Sequence, residues 1–554
     1  MSVPGKPDAT AKAIELIDRH WWNANLNKPL CVSPLGFLPL GFPDGLFCTQ
    51  HLSEAFFPGR LLRKISSVSF SENQLRLSQS KRDPWNQFSC QHYPGSEIMQ
   101  KHITDSSSTV RIRTGFLVAI TAGVLACAGS AEAQVSLAWS RQFGTTAQDN
   151  GNSVAVDSAG NVYVTGFTNG SLGGINAGFA DAFLSRYNAS GALEWTRQIG
   201  SSALDVGNSV AVDAAGNAYI TGYTGGSILG GTNTGGEDAF ITRYNTDGTV
   251  AWSRQIGTST VDRSFGVAVA AGNVYISGFT RGSLLGQTNS GSDDAFVTRY
   301  DTDGNVAWSR QIGTSTADDS RGVAVDAAGN VYISGSTLGS LGVANPSPGN
   351  ADAFLTRFDA DGTLAWSRQI GTSESDFSHN LAVDAAGNSY ITGVTRGSLG
   401  GPNAGLDDAF LARYNADGSL AWTRQIGSNS FDAGNGVAVD ADGNAYITGF
   451  IRSDLGREDV LLSRYNFDGT LAWTQSISTG AAIDERGMGV AVDAARNVYI
   501  TGWTGGNILG GTNAGGIDGF LMKYSQVPEP SSLVMLATGV GLMGLWRSRT
   551  RSGR

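Results

Sequence analysis

The chain has 554 residues, among them 75 Gly, 14 Pro and 4 Cys, and only 16% are charged. Glycine stands at about twice its usual frequency and charge well below average, which excludes a coiled coil or helical bundle, while 41% hydrophobic residues exclude wholesale disorder. The formal charge of −10 argues against a nucleic-acid partner, because displacing counterions needs a basic stripe.

Residues 1–98 hold nine of the 14 prolines, three of the four cysteines (Cys31, Cys48, Cys90) and three of the five histidines. Apart from a helical-looking piece at 11–20, no period of 2 or 3.6 is sustained, and the stretch is expected to be disordered. From Met99 the pattern is that of a secretory signal. Lys101, Arg111 and Arg113 give a positive start, 116–128 a mostly apolar run, and Ala131-Glu132-Ala133 a small-x-small cleavage site before Gln134. A core segment is the duller alternative, and the flanking charges argue against it. Cys127 as a lipoprotein anchor fits less well, since Leu125 and Ala126 match that pattern only loosely. Signal peptides act at a chain's beginning. The pattern therefore points to Met99 as the start, to 1–98 as a mis-annotated upstream extension, and to 99–133 as the signal.

From Gln134 to about Gln526 the chain repeats. Aligning on Leu-Ala-Trp-Ser/Thr-Arg-Gln-Ile gives Trp139, Trp195, Trp252, Trp308, Trp366, Trp422 and Trp473, spaced 56, 57, 56, 58, 56 and 51 residues apart. Asn-x-Tyr-Ile-Thr/Ser-Gly recurs at Tyr163, Tyr219, Tyr275, Tyr332, Tyr390, Tyr446 and Tyr499. Asp-Ala-Phe-Leu-Thr-Arg-Tyr begins at Asp181, Asp238, Asp294, Asp352, Asp408, Asp459 and Asp518, and a short Gly-Val-Ala-Val-Asp run, as at 322–326, completes the set. Each element is short, β-branched or aromatic, and bounded by Gly, Asn or Asp, which reads as a strand. Asp-Ala-Ala-Gly-Asn and Asn-Ala-Asp-Gly read as hairpin turns.

Four antiparallel strands per repeat, seven times over, predict an all-β fold: a single seven-bladed β-propeller over 134–526. The first copy starts with a tryptophan strand at 135–143, and the last stops without one. The N-terminal strand is thus expected to complete blade seven and close the ring. An open solenoid would instead show atypical capping repeats. Repeats of the form LAWSRQIGTS…GVAVDAAGNVYITG…DAFLTRYNADG resemble the bacterial β-propeller repeat family called SBBP, over about 70% of the chain. The resemblance implies a fold and a secreted or surface setting, without an assigned reaction.

The tail, 527–554, is similar to a PEP-CTERM sorting signal. Pro528, Glu529 and Pro530 precede an apolar run, 533–546, and the basic end of Arg547, Arg549, Arg551 and Arg554. The resemblance implies an exported protein held in the inner membrane until an exosortase-type enzyme processes it. The physics agrees, since terminal arginines resist translocation. Fourteen residues of helix span about 21 Å, a marginal crossing of the ~30 Å core.

Within 134–526 stand 20 Arg, one Lys, 32 Asp and five Glu, a net charge of −16, with no Cys and the single histidine His379. No Cys/His cluster exists for zinc, and a Ser-His-Asp triad would rest on His379 alone. Aligned against Ser, Phe, Arg or Gly in the other repeats, His379 reads as a solvated loop residue. Three aspartate sets recur. Asp157, Asp213, Asp326, Asp384, Asp440 and Asp493 end the first strand, and the third repeat lacks one residue there, at Val269-Ala270. Asp181 and its counterparts open the third strand. Asp149, Asp205, Asp262, Asp318, Asp376, Asp432 and Asp484 precede the first. Turn capping and Asp–Arg pairing between strands, through sets such as Arg186, Arg243, Arg299 and Arg197, Arg254, Arg310, are the expected uses. Asp301-Thr302-Asp303-Gly304-Asn305 resembles the start of a calcium loop, but Ile312 falls where the bidentate acid belongs, which excludes an EF-hand. If the Val-Ala-Val strand is innermost, the last aspartate set rings one mouth of the channel. Calcium is the one cofactor such a ring would suit. The alternative turns each carboxylate inward onto local N–H groups.

The longer connections, such as 225–237 and 314–321, are expected to share one face, where propellers usually bind partners. The sequence thus reads as an exported, non-enzymatic propeller binding surface polysaccharide or another envelope protein. The rival is a polysaccharide lyase or glycoside hydrolase with paired acids on that face.

Overall fold

The computed structural model describes residues 69–71, 74–76 and 135–526, apart from 343–348, 453–455 and 480–482. The chain divides into two units, Met1–Val110 and Arg111–Arg554. In the first, the described residues form a short hairpin of Ser69–Ser71 with Gln74–Arg76. In the second, seven antiparallel sheets of four strands follow one another.

Blade one runs Asp149–Val156, Val162–Thr168, Asp181–Tyr187 and Leu193–Ile199, in that order across the sheet. Blades two to six repeat this order. Blade seven takes Glu485–Val492, Val498–Thr504 and Asp518–Gln526 from the end of the repeat region and its outer strand, Val135–Phe143, from the region's start. That strand pairs antiparallel from Val135↔Gln526 to Phe143↔Gly519, so the seven-bladed ring closes as the repeat phase requires.

The hydrophobic clusters lie between blades rather than within them. Tyr275, Ala295 and Val297 of blade three pack on Val331, Ile333 and Phe354 of blade four. Tyr499 and Leu521 of blade seven pack on Val162, Val164 and Phe183 of blade one across the closure. A second strand is therefore covered on both faces. Val331–Thr337 is buried at every position, which explains why these strands show continuous small and apolar residues rather than alternation. Its Gly335 is required. A β-bulge between Ser320 and Gly322 presses the Asp319 carbonyl onto the place a Cβ would occupy.

Blades are also latched at the rim. In the third-to-fourth-strand turn of blade four, Gly362 N–H donates to the Asp359 carbonyl (2.8 Å) with φ at +82°, and Trp308 of blade three lies on the glycine, 3.0 Å from the position of a Cβ. Arg310 stacks over Trp308 (5.4 Å) and donates from Nε to the Gly362 carbonyl at 2.7 Å. The same bond joins Arg141 to Gly191, Arg197 to Gly248, Arg254 to Gly304, Arg368 to Gly418 and Arg424 to Gly469. At the junction of blades six and seven Gln475 stands in place of arginine and reaches the Val135 carbonyl (3.5 Å). Blade seven presents the paired ends of its two outer strands there, Val135 with Gln526, not a turn glycine. The expected Asp–Arg pairing of outer strands is thereby corrected: these arginines hold backbone carbonyls. Of the third-strand arginines, Arg186 pairs with Glu194, while Arg357 does pair with an aspartate, Asp359 (3.1 Å).

Candidate functional site

The carboxylates are the residues with most chemistry to offer, and each of the three sets has a definite place. The first set caps turns. Asp157 Oδ1 accepts N–H bonds from Ala159 (2.9 Å) and Asn161 (2.8 Å), and Oδ2 accepts from the Asn161 amide (2.8 Å). Asp213, Asp326, Asp384, Asp440 and Asp493 do the same.

The other two sets meet across blade boundaries. Asp318 opens the first strand of blade four. Its Oδ2 accepts from Thr314 N–H (2.6 Å) and Oγ1 (2.9 Å), and its Oδ1 accepts from Thr337 Oγ1. Asp294, which opens the third strand of blade three, accepts on Oδ2 from Gln311 Nε2 (3.0 Å) and Ser290 N–H (2.7 Å). Both are fully buried, and Asp294 Oδ1 has no hydrogen-bond partner. Burial, and then the Asp294 charge, push the Asp318 carboxyl up to about 6. The same two causes raise Asp205, beside Asp181, and Asp262, beside Asp238. These carboxylates do not ring an open channel mouth. They are withdrawn under the loops, on local N–H and hydroxyl groups.

The seventh member is not Asp484. Glu485 pairs with Thr504 as Asp149 pairs with Thr168, so Glu485 holds the inner position. Burial, together with the charges of Asp459 and Asp484, pushes its carboxyl up to about 7. Among the described residues no group of three or more His, Cys, Asp or Glu side chains is placed to hold a metal ion.

His379 is on the inner strand Asp376–Val383, not in a surface loop. It occupies the bulge position that is Asn152 in blade one, where the amide crosses to the Gly207 carbonyl of blade two (2.9 Å). Bonded toward Gly434 and Asn435 of blade six, it is driven down to about 4 by burial and then by Arg321, and is neutral. Every inner strand has this bulge, and strand pairing makes Phe265 and Arg321 the residues equivalent to His379 in blades three and four.

Sequence reasoning missed two arrangements. The tyrosine of Asn-x-Tyr, the third-strand Arg and the outer-strand Trp lie opposite one another, as Tyr332↔Arg357↔Trp366. Tyr332 and Trp366 are 6.1 Å apart at 68°. The glutamine after each latch arginine pins the long loop: Gln311 Oε1 accepts from Leu284 N–H (3.1 Å) and Nε2 donates to the Gly282 carbonyl (3.0 Å). Fixed spacing from the tryptophan was the available signal for both. The pinned loops present Ile175 and Phe179 in blade one, 90% and 77% exposed. The predicted cleavage residues Ala131, Ala133 and Gln134, and the sorting residues Pro528, Glu529, Pro530, Arg547, Arg549 and Arg551, lie outside the described residues.

Residues 138–173, 194–230, 307–342, 365–400 and 421–454 match the SBBP beta-propeller repeat. The chain carries SBBP repeats. Each SBBP match begins in one blade's outer strand and ends in the next blade's long loop, so the repeat unit straddles the latch. Among curated proteins, the regulatory protein FlaEY of Caulobacter vibrioides is 25% identical over 353 residues, covering 55% of this chain and 36% of that protein. An uncharacterized WD repeat-containing protein, L264, of Acanthamoeba polyphaga mimivirus is 24% identical over 392 residues, covering 61% and 26%. The chain thus spans about a third or less of the curated relatives it matches. Among solved structures, the Neurospora crassa Pan2 WD40 domain is similar at TM-score 0.40 and 8% identity over 69% of this chain and 95% of that one. A polysaccharide lyase of family PL25 is similar at TM-score 0.42 and 11% identity over 65% and 93%.

Proposed function

We propose that the protein is an exported, non-enzymatic propeller that binds envelope or extracellular polysaccharide, or a surface protein, through its long-loop face. The observation that carries this reading is the withdrawal of the repeated carboxylates. Acid–base cleavage of a glycan needs two carboxyl groups facing one bond, and here the paired acids, such as Asp294 with Asp318, are fully buried and bonded to the loops. The loops keep exposed apolar groups, Ile175 and Phe179, on a rigid frame suited to sugar rings or a protein surface. In this reading the signal at 99–133 exports the chain, and the tail at 527–554 holds it in the inner membrane until an exosortase-type enzyme acts. Co-sedimentation of the full chain with acidic and neutral polysaccharides tests the binding. Retention that survives salt and falls on replacing Phe179 by Ser supports it, and absence of retention on any surface polymer defeats it. Edman or mass-spectrometric mapping of the exported form tests the processing. A mature N-terminus at Gln134 is expected, and any peptide from 1–98 contradicts it.

A further inference from the structure

Among the first-to-second-strand turns on the short-turn face, blade three alone has lost the turn aspartate. In six blades the tyrosine of Asn-x-Tyr gives its hydroxyl to the turn aspartate, from 3.0 Å at Tyr499–Asp493 to 3.5 Å at Tyr163–Asp157. Blade three lacks that aspartate. Its first strand runs to Ala270 and turns through Ala271 and Gly272 alone, with φ at +48° and +73°. A non-glycine residue in the left-handed region is strained by about 1 kcal/mol or more, and such strain gathers at functional sites.

Shortening the turn opens a cleft of about 270 Å³ between blades three and four, lined by Ala270, Ala271, Asn273, Tyr275, Arg299 and Asp326 among others. Arg299 is the cationic group in its lining. Its Nε and Nη2 donate to Asn273 Oδ1 (3.2 and 2.9 Å) and its Nη1 to the Ala360 carbonyl (3.1 Å). Three of its five N–H groups are used, and among the described residues none goes to a carboxylate. Asp326 also lines the cleft and keeps its charge, but it makes no ion pair with Arg299. Both oxygens of Asp326 are committed to their own turn, accepting from Ala328 N–H (3.0 Å), Asn330 N–H (2.9 Å), the Asn330 amide (2.8 Å) and Tyr332 Oη (3.2 Å).

The geometry points to this cleft as an anion subsite that takes the carboxylate of one acidic sugar residue. The guanidinium offers its remaining N–H pair to a carboxylate, the Tyr275 hydroxyl stands beside it, and alanines give an apolar wall. The volume is below the roughly 300–1,000 Å³ of pockets for drug-sized ligands, so it admits a monosaccharide unit. The choice of a sugar rests on the polysaccharide-binding reading. The anion site rests on the cleft alone.

Titration calorimetry of the full chain with D-glucuronate, D-glucose and sulfate tests this. Saturable glucuronate binding is expected, with glucose and sulfate at least about tenfold weaker. Arg299→Gln weakens glucuronate by about tenfold or more, and so does inserting an Asp between Val269 and Ala270, which restores the turn of the other blades and should fold at least as well. Arg243→Gln, the equivalent change in blade two, leaves glucuronate binding intact. No glucuronate binding, equal binding of sulfate, or binding indifferent to both blade-three variants overturns the assignment. Retention on polysaccharide by the Arg299→Gln variant would then show that the polymer binds elsewhere, leaving the broader reading intact.

Discussion

Glu485 gives the sharpest energetic test of the buried carboxylates. It is fully buried, its Oε1 accepts from Thr479 Oγ1 (2.5 Å), and its Oε2 has no hydrogen-bond partner. Burial and the charges of Asp459 and Asp484 raise its carboxyl from the ordinary 4.5 to about 7. Below about pH 4.5 the group is protonated whether folded or not and makes no difference to stability. Between there and about pH 7 the folded protein keeps a proton that the unfolded chain has lost, so stability falls as pH rises. Above about pH 7 the full penalty applies, roughly 3 kcal/mol at about 1.36 kcal/mol per pH unit. Glu485→Gln keeps the shape and removes the charge. At about pH 8 the variant should be more stable than the parent by about 2–3 kcal/mol, and near pH 4.5 the two should agree within about 0.5 kcal/mol. Urea unfolding of both proteins at the two pH values reads this directly. A difference that does not change with pH, or destabilisation at pH 8, would refute the placement of Glu485 as a buried charge whose desolvation outweighs its Thr479 hydrogen bonding.

Three further outcomes follow from the packing. Deleting Val135–Phe143 exposes the edge of Asp518–Gln526 and removes Trp139 and Phe143 from the contact with blade one, so loss of cooperative unfolding and aggregation are expected in calorimetry; an unchanged Tm would defeat the closure. Trp308 is half-buried against Tyr275 and Gly362, so Trp308→Ala should cost about 2–3 kcal/mol, toward the lower end for a core aromatic, and Gly362→Ala about 1–3 kcal/mol through its φ of +82° and the indole 3.0 Å away; denaturant midpoints near wild type would place the rim outside the cooperative unit. Calcium at millimolar concentration should leave Tm unchanged, because Asp262 accepts from Thr258 N–H (2.6 Å) and from Thr280 Oγ1; a concentration-dependent rise, lost in Asp262→Asn, would reveal a cation site instead.

The ring was legible because its signals are local and repeated. Each strand carries its own β-branched or aromatic run, and the unmatched strand at 135–143 states where the ring closes. What was not legible depends on the third dimension. Alignment by residue type put Asp484 among the inner aspartates, whereas strand register gives that place to Glu485. His379, expected in a loop, lies within the inner strand at a buried blade boundary, because that strand starts earlier than its apolar run shows. Latch arginines looked like partners for aspartates because a sequence shows charges and hides the carbonyls that turns present. The missing residue at Val269-Ala270 was visible, but only the neighbouring blade shows that its loss opens a cleft beside Arg299.

The central claim, that the propeller holds polysaccharide without cleaving it, is tested most directly by incubating the full chain with an acidic polysaccharide and following reducing ends and unsaturated uronates alongside polymer retention. The account predicts retained polymer of unchanged chain length, with no product above a no-protein control. Catalytic release of either product, abolished by replacing a single aspartate, would contradict it.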